Sequence, residues 1–227
     1  MPTNLPTRAA RRLLATLVSF WLLLFLPAGS LRFWNAWLLI GLMSALWTSF
    51  LIDLLRSDPE LVERRLQGRE AEPEQKLFQR LFTLLLFPAL VVAGLDFRFG
   101  WSRRIAPIPL WLIIVGQIAT MAGYCFVFWV MKTNTFAGAT IQVEAGHRVI
   151  SHGPYHIVRH PMYLGMALTA LGIPLALGSC VALPLFALFV PVLIYRLVHE
   201  ERTLRRSLPG YSEYCATTRF RLVPWIW

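Results

Sequence analysis

Residues Gly153 to Gly165 read GPYHIVRHPMYLG and stand where a polar segment gives way to an apolar run. Gly153 and Pro154 break any helix arriving from upstream, and Pro161 suits the first position of a new one. A charged, aromatic loop that restarts as an apolar helix marks a boundary between water and lipid. The composition agrees. The 227-residue chain is 56% hydrophobic, with a mean hydropathy of +0.55. Soluble domains are roughly 45–50% apolar on a count that also includes glycine. The excess lies in blocks near membrane-span length, at 11–29, 33–52, 77–97, 108–131, 161–178 and 180–198. The last two are short: at about 1.5 Å per residue they barely cross a hydrocarbon core of roughly 30 Å. Six spans, or five with a re-entrant final hairpin, both satisfy the pattern. The expected fold class is all-α: a polytopic integral membrane helical bundle of five to six transmembrane helices.

The net charge of +10 is a topology signal. With a cytosolic N-terminus and six spans, the far side holds only Arg32, Arg98, Arg103 and Arg104, leaving the other 18 of 22 Lys and Arg on the cytosolic side. That asymmetry is the positive-inside pattern, with some attraction to anionic lipid. It argues against a nucleic-acid partner and places both termini in the cytosol. Arg8, Arg11 and Arg12 ahead of Leu13–Leu26 resemble the start of a signal peptide. A retained helix is expected instead, because Leu31–Leu51 immediately supplies an antiparallel partner. Cys125, Cys180 and Cys215 form no disulfide framework.

The expected organisation is one membrane domain over 1–227. Its first part, 1–131, holds four spans and a cytosolic helix near 57–76. Its second, 132–227, holds a loop, a helical hairpin and a tail. Ser57 or Asp58 is a good N-cap, Pro59 fits the first turn, and Glu60 complements the dipole. Leu61, Val62 and Leu66 give this helix a thin apolar stripe, which predicts a helix lying on the cytosolic surface. Thr140–Val143 and His147–Ile150 are expected as short extended pieces. The last span should continue as a polar helix to about Leu208, stopped by Pro209 and Gly210.

No GxGxxG follows a strand, and no P-loop, GxSxG or HExxH occurs. His147, His152, His156 and His160 invite a metal reading. Gly153, Pro154 and Pro161 interrupt the helix that would align them, so no metal is expected. A helix beginning at Pro161 offers unpaired N–H groups to an anion, with Arg159 and His160 beside it. A second cluster closes the next apolar run, with Arg196 and Glu200 at i, i+4 and Glu201 adjacent. An exposed pair of this kind contributes only about 0.2–0.5 kcal/mol. Charges well inside a membrane cost about 2.5–3.5 kcal/mol each, so a bundle-facing pair points to a polar ligand.

GPYHIVRHPMYLG followed by RLVHEERTLRRSLPGYSEY (196–214) resembles the C-terminal signature of the isoprenylcysteine carboxyl methyltransferase family. That family has prokaryotic members and is related to membrane phospholipid methyltransferases. DPELVERR (58–65) and EQKLFQR (74–80) also resemble its prokaryotic members. The resemblance implies an integral membrane enzyme that uses S-adenosyl-L-methionine and releases S-adenosyl-L-homocysteine. Its cofactor pocket would be completed by the cytosolic C-terminal helix. By motif match, His147, Arg148, Val149 and Ile150 would line the cofactor, with Gln142 as the preceding Gln. Tyr155 matches the Tyr of the GxY element, and His160, Pro161 and Tyr163 match RHPxY. Glu200 or Glu201 matches an acidic cofactor contact, and Arg196 an arginine that holds the substrate carboxylate. Arg159 joins the anion site at the helix start.

The implied acceptor is a lipophilic small molecule or prenylated group, reached from membrane lipid, and the implied location is a prokaryotic cytoplasmic membrane. A carboxylate acceptor is ionised at neutral pH and needs no general base, so catalysis reduces to positioning and desolvation. Two other enzymes keep parts of this pattern. A phospholipid or lipid N-methyltransferase would need a base near Arg196, and an NADPH-dependent enzyme of the sterol-reductase type would bind a nicotinamide. A non-enzymatic scaffold or transporter would bind neither cofactor.

Overall fold

The computed structural model describes residues 4–67, 73–134 and 148–227, and its long helices follow from the apolar blocks. Helix α1 (Leu5–Ala28) ends where Gly29 takes φ 61°, and the Gly29 N–H bonds back to Phe25 and Leu26 carbonyls. Only glycine enters that left-handed region without strain. Helix α2 (Trp34–Ser57) returns antiparallel and is followed at once by α3 (Pro59–Gln67). The Asp58 carboxylate accepts from the Leu61 N–H at 2.9 Å, so Asp58 is the cap and Pro59 opens the helix. Next come α4 (Pro73–Phe99), the short α5 (Trp101–Ile105) and α6 (Leu110–Thr133). After a 3-10 turn at Gly153–His156 come α7 (Pro161–Ala176), α8 (Leu183–Ala187), α9 (Phe189–Ser207) and α10 (Tyr211–Thr217). Of the two extended pieces expected, 140–147 lies outside the described residues, and 148–150 forms no regular structure.

Among the described residues, five helical stretches are long and apolar enough to cross a membrane: Leu5–Ala28, Trp34–Ser57, Lys76–Phe99, Leu110–Thr133 and Leu183–Ser207. Only 22–28% of each apolar window is buried in protein, so the outer faces require lipid as their solvent. Leu14, Leu84, Trp111 and Ile118 are each more than 60% exposed and belong to those faces. The final pair is unequal, not a symmetric hairpin. Helix α7 has 16 residues, about 24 Å at the α-helical rise, which makes it shorter than the other long helices of the bundle. The last crossing instead runs on into the polar tail, with a break at Leu188. Pro191 explains the break, since it has no N–H for the Ala187 carbonyl.

Helices α6 and α7 make the closest contact in the bundle, and glycine makes it possible. A Cβ on Gly116 would stand 2.3 Å from the Ala176 nitrogen, and one on Gly172 would stand 2.5 Å from Thr120 Oγ1. Gly123 and Gly165, each seven residues along, repeat the approach: a Cβ would meet Thr169 Oγ1 at 2.4 Å and Val127 at 2.7 Å. Two backbones in van der Waals contact replace the hydrophobic drive that lipid cannot supply. Elsewhere Leu24, Phe33, Leu39, Met43, Leu90 and Phe186 fill one apolar core between α1, α2, α4 and the α7–α8 region.

The end of the bundle away from the chain termini is tied by buried polar groups that bond across it. Buried Asp96 accepts from the Ser102 N–H at 2.7 Å and from the hydroxyls of Ser102 and Ser179. Ser102 Oγ in turn accepts from the Cys180 N–H at 2.9 Å. The Asn35 amide donates to the Leu177 carbonyl, and the Gln117 amide donates to the carbonyls of Asn35 and Ala176, all at 3.2 Å. Cys125, Cys180 and Cys215 are free thiols.

Gly172→Leu should force α6 and α7 apart and cost about 1–3 kcal/mol or more by overpacking. Gly41→Ala, with open space around the new methyl, should be neutral or slightly stabilising. Thermal unfolding of the two variants in detergent checks the contrast.

Candidate active site

Two polar clusters stand side by side where α7 begins and α9 becomes polar. His160 caps α7 and Pro161 is its first residue. The backbone ahead of it is held by the returning tail: the Arg159 N–H donates to the Phe220 carbonyl and the His160 N–H to the Arg221 carbonyl, each at 2.9 Å. The tail closes on itself, with the Arg221 and Leu222 N–H groups bonding the Trp227 carbonyl oxygen.

Glu201 is the centre of the first cluster. Only 3% exposed, its carboxylate meets Arg159 at 3.3 Å, Arg205 at 2.8 Å and Arg221 at 2.9 Å. His160 Nε2 lies 3.5 Å from the same carboxylate and 3.5 Å from the Tyr211 hydroxyl. Arg159 also donates to the carbonyls of Thr218 and Arg219 at 3.0 Å. One carboxylate thus joins α9, the residues before α7, and the tail.

Glu200 belongs to the second cluster, because successive helix residues point about 100° apart. The Tyr163 hydroxyl donates to Glu200 in a short hydrogen bond and accepts from Arg196 Nε at 3.1 Å. The expected i, i+4 partnership of Arg196 and Glu200 therefore runs through a phenol from α7. The Arg196 guanidinium lies over the Phe78 ring, 4.3 Å from its centroid, which adds a cation–π contact from α4. Tyr163, Phe78, Leu193 and Leu197 are buried together behind the cluster.

Tyr155 approaches from the 3-10 turn. Its hydroxyl accepts from the Asn134 amide at 3.0 Å, and its carbonyl accepts from the Tyr214 hydroxyl at 2.7 Å. Burial pushes the phenol up to about 12, and Glu200 and Arg65 lie within its electrostatic reach. Burial likewise raises Tyr211 and Tyr214, which keeps both phenols protonated as donors. Val149 packs with Tyr155 against Leu208, Tyr211 and Tyr214. Ile150 is half-buried and Arg148 is exposed. Gln142 and His147 lie outside the described residues.

The structure thus sorts the expected site residues. It brings Arg196, Tyr163, Glu200 and Tyr155 towards one place, and gathers Arg159, His160 and Glu201 at the tail junction. His152 and His156 point into solvent. Among the described residues no group of three or more His, Cys, Asp or Glu could hold a metal. Arg65 on α3 lies within electrostatic range of Tyr155 and Arg196, and sequence reading does not single it out. The available signal was its i, i+4 and i, i+3 spacing from the buried Leu61 and Val62.

Removing one partner of a buried ion pair costs about 3–5 kcal/mol. Glu201→Gln should therefore lower the melting midpoint by several degrees and speed tryptic cleavage after Arg219 and Arg221. An unchanged midpoint with unchanged cleavage would remove Glu201 from this holding role.

Residues 111–209 match the family model described as phospholipid methyltransferase, a stretch that includes α7, Arg196 and Glu200. Among solved structures, the fold resembles the eukaryotic intramembrane Ras methyltransferase, isoprenylcysteine carboxyl methyltransferase. The TM-score is 0.61 at 19% identity, over 91% of this chain and 74% of that one. A curated relative, the Delta(14)-sterol reductase of Mus musculus, is 31% identical over 91 residues, 39% of this chain. The chain matches only 22% of that reductase's length. The segment that carries the site is thus the one that matches the phospholipid methyltransferase model, and the bundle around it has a fold like that of the intramembrane isoprenylcysteine carboxyl methyltransferase.

Proposed function

We propose that this protein is an integral membrane methyltransferase that moves a methyl group from S-adenosyl-L-methionine to the carboxylate of a lipophilic acceptor. One observation carries the reading: a single phenol, Tyr163, holds a guanidinium and a carboxylate at the polar end of a lipid-facing bundle, inside the segment that matches a methyltransferase family. The site lies on the arginine-rich side, which the charge asymmetry assigns to the cytosol, where a soluble cofactor is available.

The donor set suits that cofactor. Glu200 offers a carboxylate to an ammonium or to ribose hydroxyls, and the face of Tyr155 suits an adenine ring or a cationic sulfur. Glu201, held by Arg159, Arg205 and Arg221, has the role of a tail anchor instead. When bound, S-adenosyl-L-methionine supplies a methyl group on positively charged sulfur, already activated for displacement.

The protein's own part is placement. Arg196 pairs with the acceptor carboxylate through a charge-assisted contact. Tyr163 and Phe78 fix the plane of that guanidinium, so the carboxylate arrives in one orientation. Orientation of this kind is worth up to about 7–11 kcal/mol of barrier. No proton has to move when the acceptor is a carboxylate.

The family match favours a second acceptor, the amine of a phospholipid headgroup. An amine must lose a proton, and Glu200 is placed to receive it by way of the Tyr163 hydroxyl. The resemblance to a sterol reductase supports a third reading, in which the cofactor is NADPH.

Titration separates these readings. S-adenosyl-L-homocysteine should stabilise the purified protein, by about 2.7 kcal/mol at a hundredfold excess over Kd, and NADPH should not; the reverse result sets the methyltransferase reading aside. Arg196→Ala should lower acceptor kcat/KM about 10- to 100-fold, the scale of a hydrogen bond to a charged group, and leave S-adenosyl-L-homocysteine affinity nearly unchanged. Assays with labelled donor against prenylcysteine, free fatty acid and phosphatidylethanolamine identify the acceptor.

A further inference from the structure

The tail that follows α10 folds back in a tight turn, and the tip of that turn is apolar. The Ile226 N–H donates to the Val223 carbonyl at 3.2 Å, with Pro224 and Trp225 at the two corners. Proline followed by a residue of positive φ is the pattern of a type II turn, which favours glycine or asparagine at the second corner. Trp225 stands there at φ 63°, the one non-glycine residue with positive φ among the described residues. A bulky side chain in that region is strained. Contacts within the protein offset little of the strain. Trp225 is 88% exposed and Ile226 80%, and the ring nearest to Trp225 is that of half-buried Phe220, 6.2 Å away between centroids.

The place of the turn says what meets its tip. Its flanks are packed on the bundle: Leu222, Val223 and Trp227 join the apolar cluster of Phe78, Leu193 and Leu197. Phe78 is the third residue of the apolar crossing Lys76–Phe99, so this cluster lies where α4 leaves the hydrocarbon. Leu77 beside it is exposed, and so are Lys76 and Arg219 at the same end, two cations that suit anionic headgroups. Tryptophan fits that depth, because it joins an apolar ring to a polar N–H, and it gathers at membrane–water interfaces for that reason. We infer that the turn Pro224–Ile226 is an interfacial membrane anchor, with Trp225 and Ile226 entering the headgroup layer of the bilayer beside α4 and α9. The anchor lies outside the five crossing stretches. The same tail bonds the N–H groups of Arg159 and His160 through the carbonyls of Phe220 and Arg221. Anchoring the tail therefore ties the start of α7 to the level of the lipid headgroups.

The experiment places the full-length wild type and Trp225→Gly in nanodiscs of phosphatidylcholine and phosphatidylglycerol. The chain has nine tryptophans, so the fluorescence of Trp225 is taken as the difference between the two proteins. Glycine accepts the left-handed corner without strain, so this variant keeps the turn. Trp225→Asn, which also tolerates that region, supplies the same difference independently. Three quenchers are compared: lipid with a nitroxide near the headgroup, lipid with a nitroxide near the chain end, and iodide in the water. The expected difference signal is blue-shifted, is quenched most by the shallow nitroxide, and is largely shielded from iodide. A signal quenched by iodide and untouched by either lipid puts the turn in water and overturns the assignment. A signal shielded from all three means that protein covers Trp225, as in contact between two copies, and overturns it as well. Quenching strongest with the deep nitroxide puts the ring in the hydrocarbon core and rejects the headgroup placement.

Discussion

The carboxylate of Glu201, buried among Arg159, Arg205 and Arg221, is the contact on which the polar end of this molecule depends. Three guanidiniums arrive there from three parts of the chain: the turn before α7, the end of α9, and the tail. Buried Arg159 could not be left there without a counter-charge, and the carboxylate could not be buried without Arg159 and the partly exposed Arg205 and Arg221. Their meeting fixes where the tail lies, and the tail in turn takes up the N–H groups of Arg159 and His160. Helix α7 then starts at one defined point, with Tyr163 on its first turn aimed at α9.

The second constraint is the contact of α6 with α7. Lipid gives apolar side chains no reason to prefer each other, so close backbone approach at Gly116, Gly123, Gly165 and Gly172 substitutes for hydrophobic drive. It holds α7 in register along its length. The carboxylate anchor sets the top of α7 and the glycine seam sets its axis. Between them the Tyr163 hydroxyl is placed where both Arg196 and Glu200 can reach it.

Neighbouring acidic residues on one helix thereby take different parts. Glu201 faces the tail and is consumed by structure, while Glu200 faces Tyr163 and the apolar wall of Phe78 and Leu197. The lipophilic acceptor proposed above suits such a place, with its charged head proposed to meet Arg196 while its chain stays in lipid. The same geometry serves a carboxylate without proton transfer and an amine with it, so the acceptor is decided by chemistry at the head and not by the fold.

Residue by residue, the sequence determined the crossing helices, the cap at Asp58, the restart at Pro161, the stop at Pro209–Gly210 and the basic face, because span length, turn chemistry and charge asymmetry are local quantities. It also marked Arg196, Tyr163 and the Glu200–Glu201 pair by residue type and spacing. It left Glu200 and Glu201 undivided, and it did not single out Arg65. It also left open whether the last two apolar runs make two spans or a re-entrant hairpin, because the length each keeps depends on the break at Leu188 and on packing. Those matters were decided by tertiary structure. Which face of α9 meets the tail and the turn before α7 depends on contacts between segments 20 and 42 residues apart, and no local pattern encodes such a meeting.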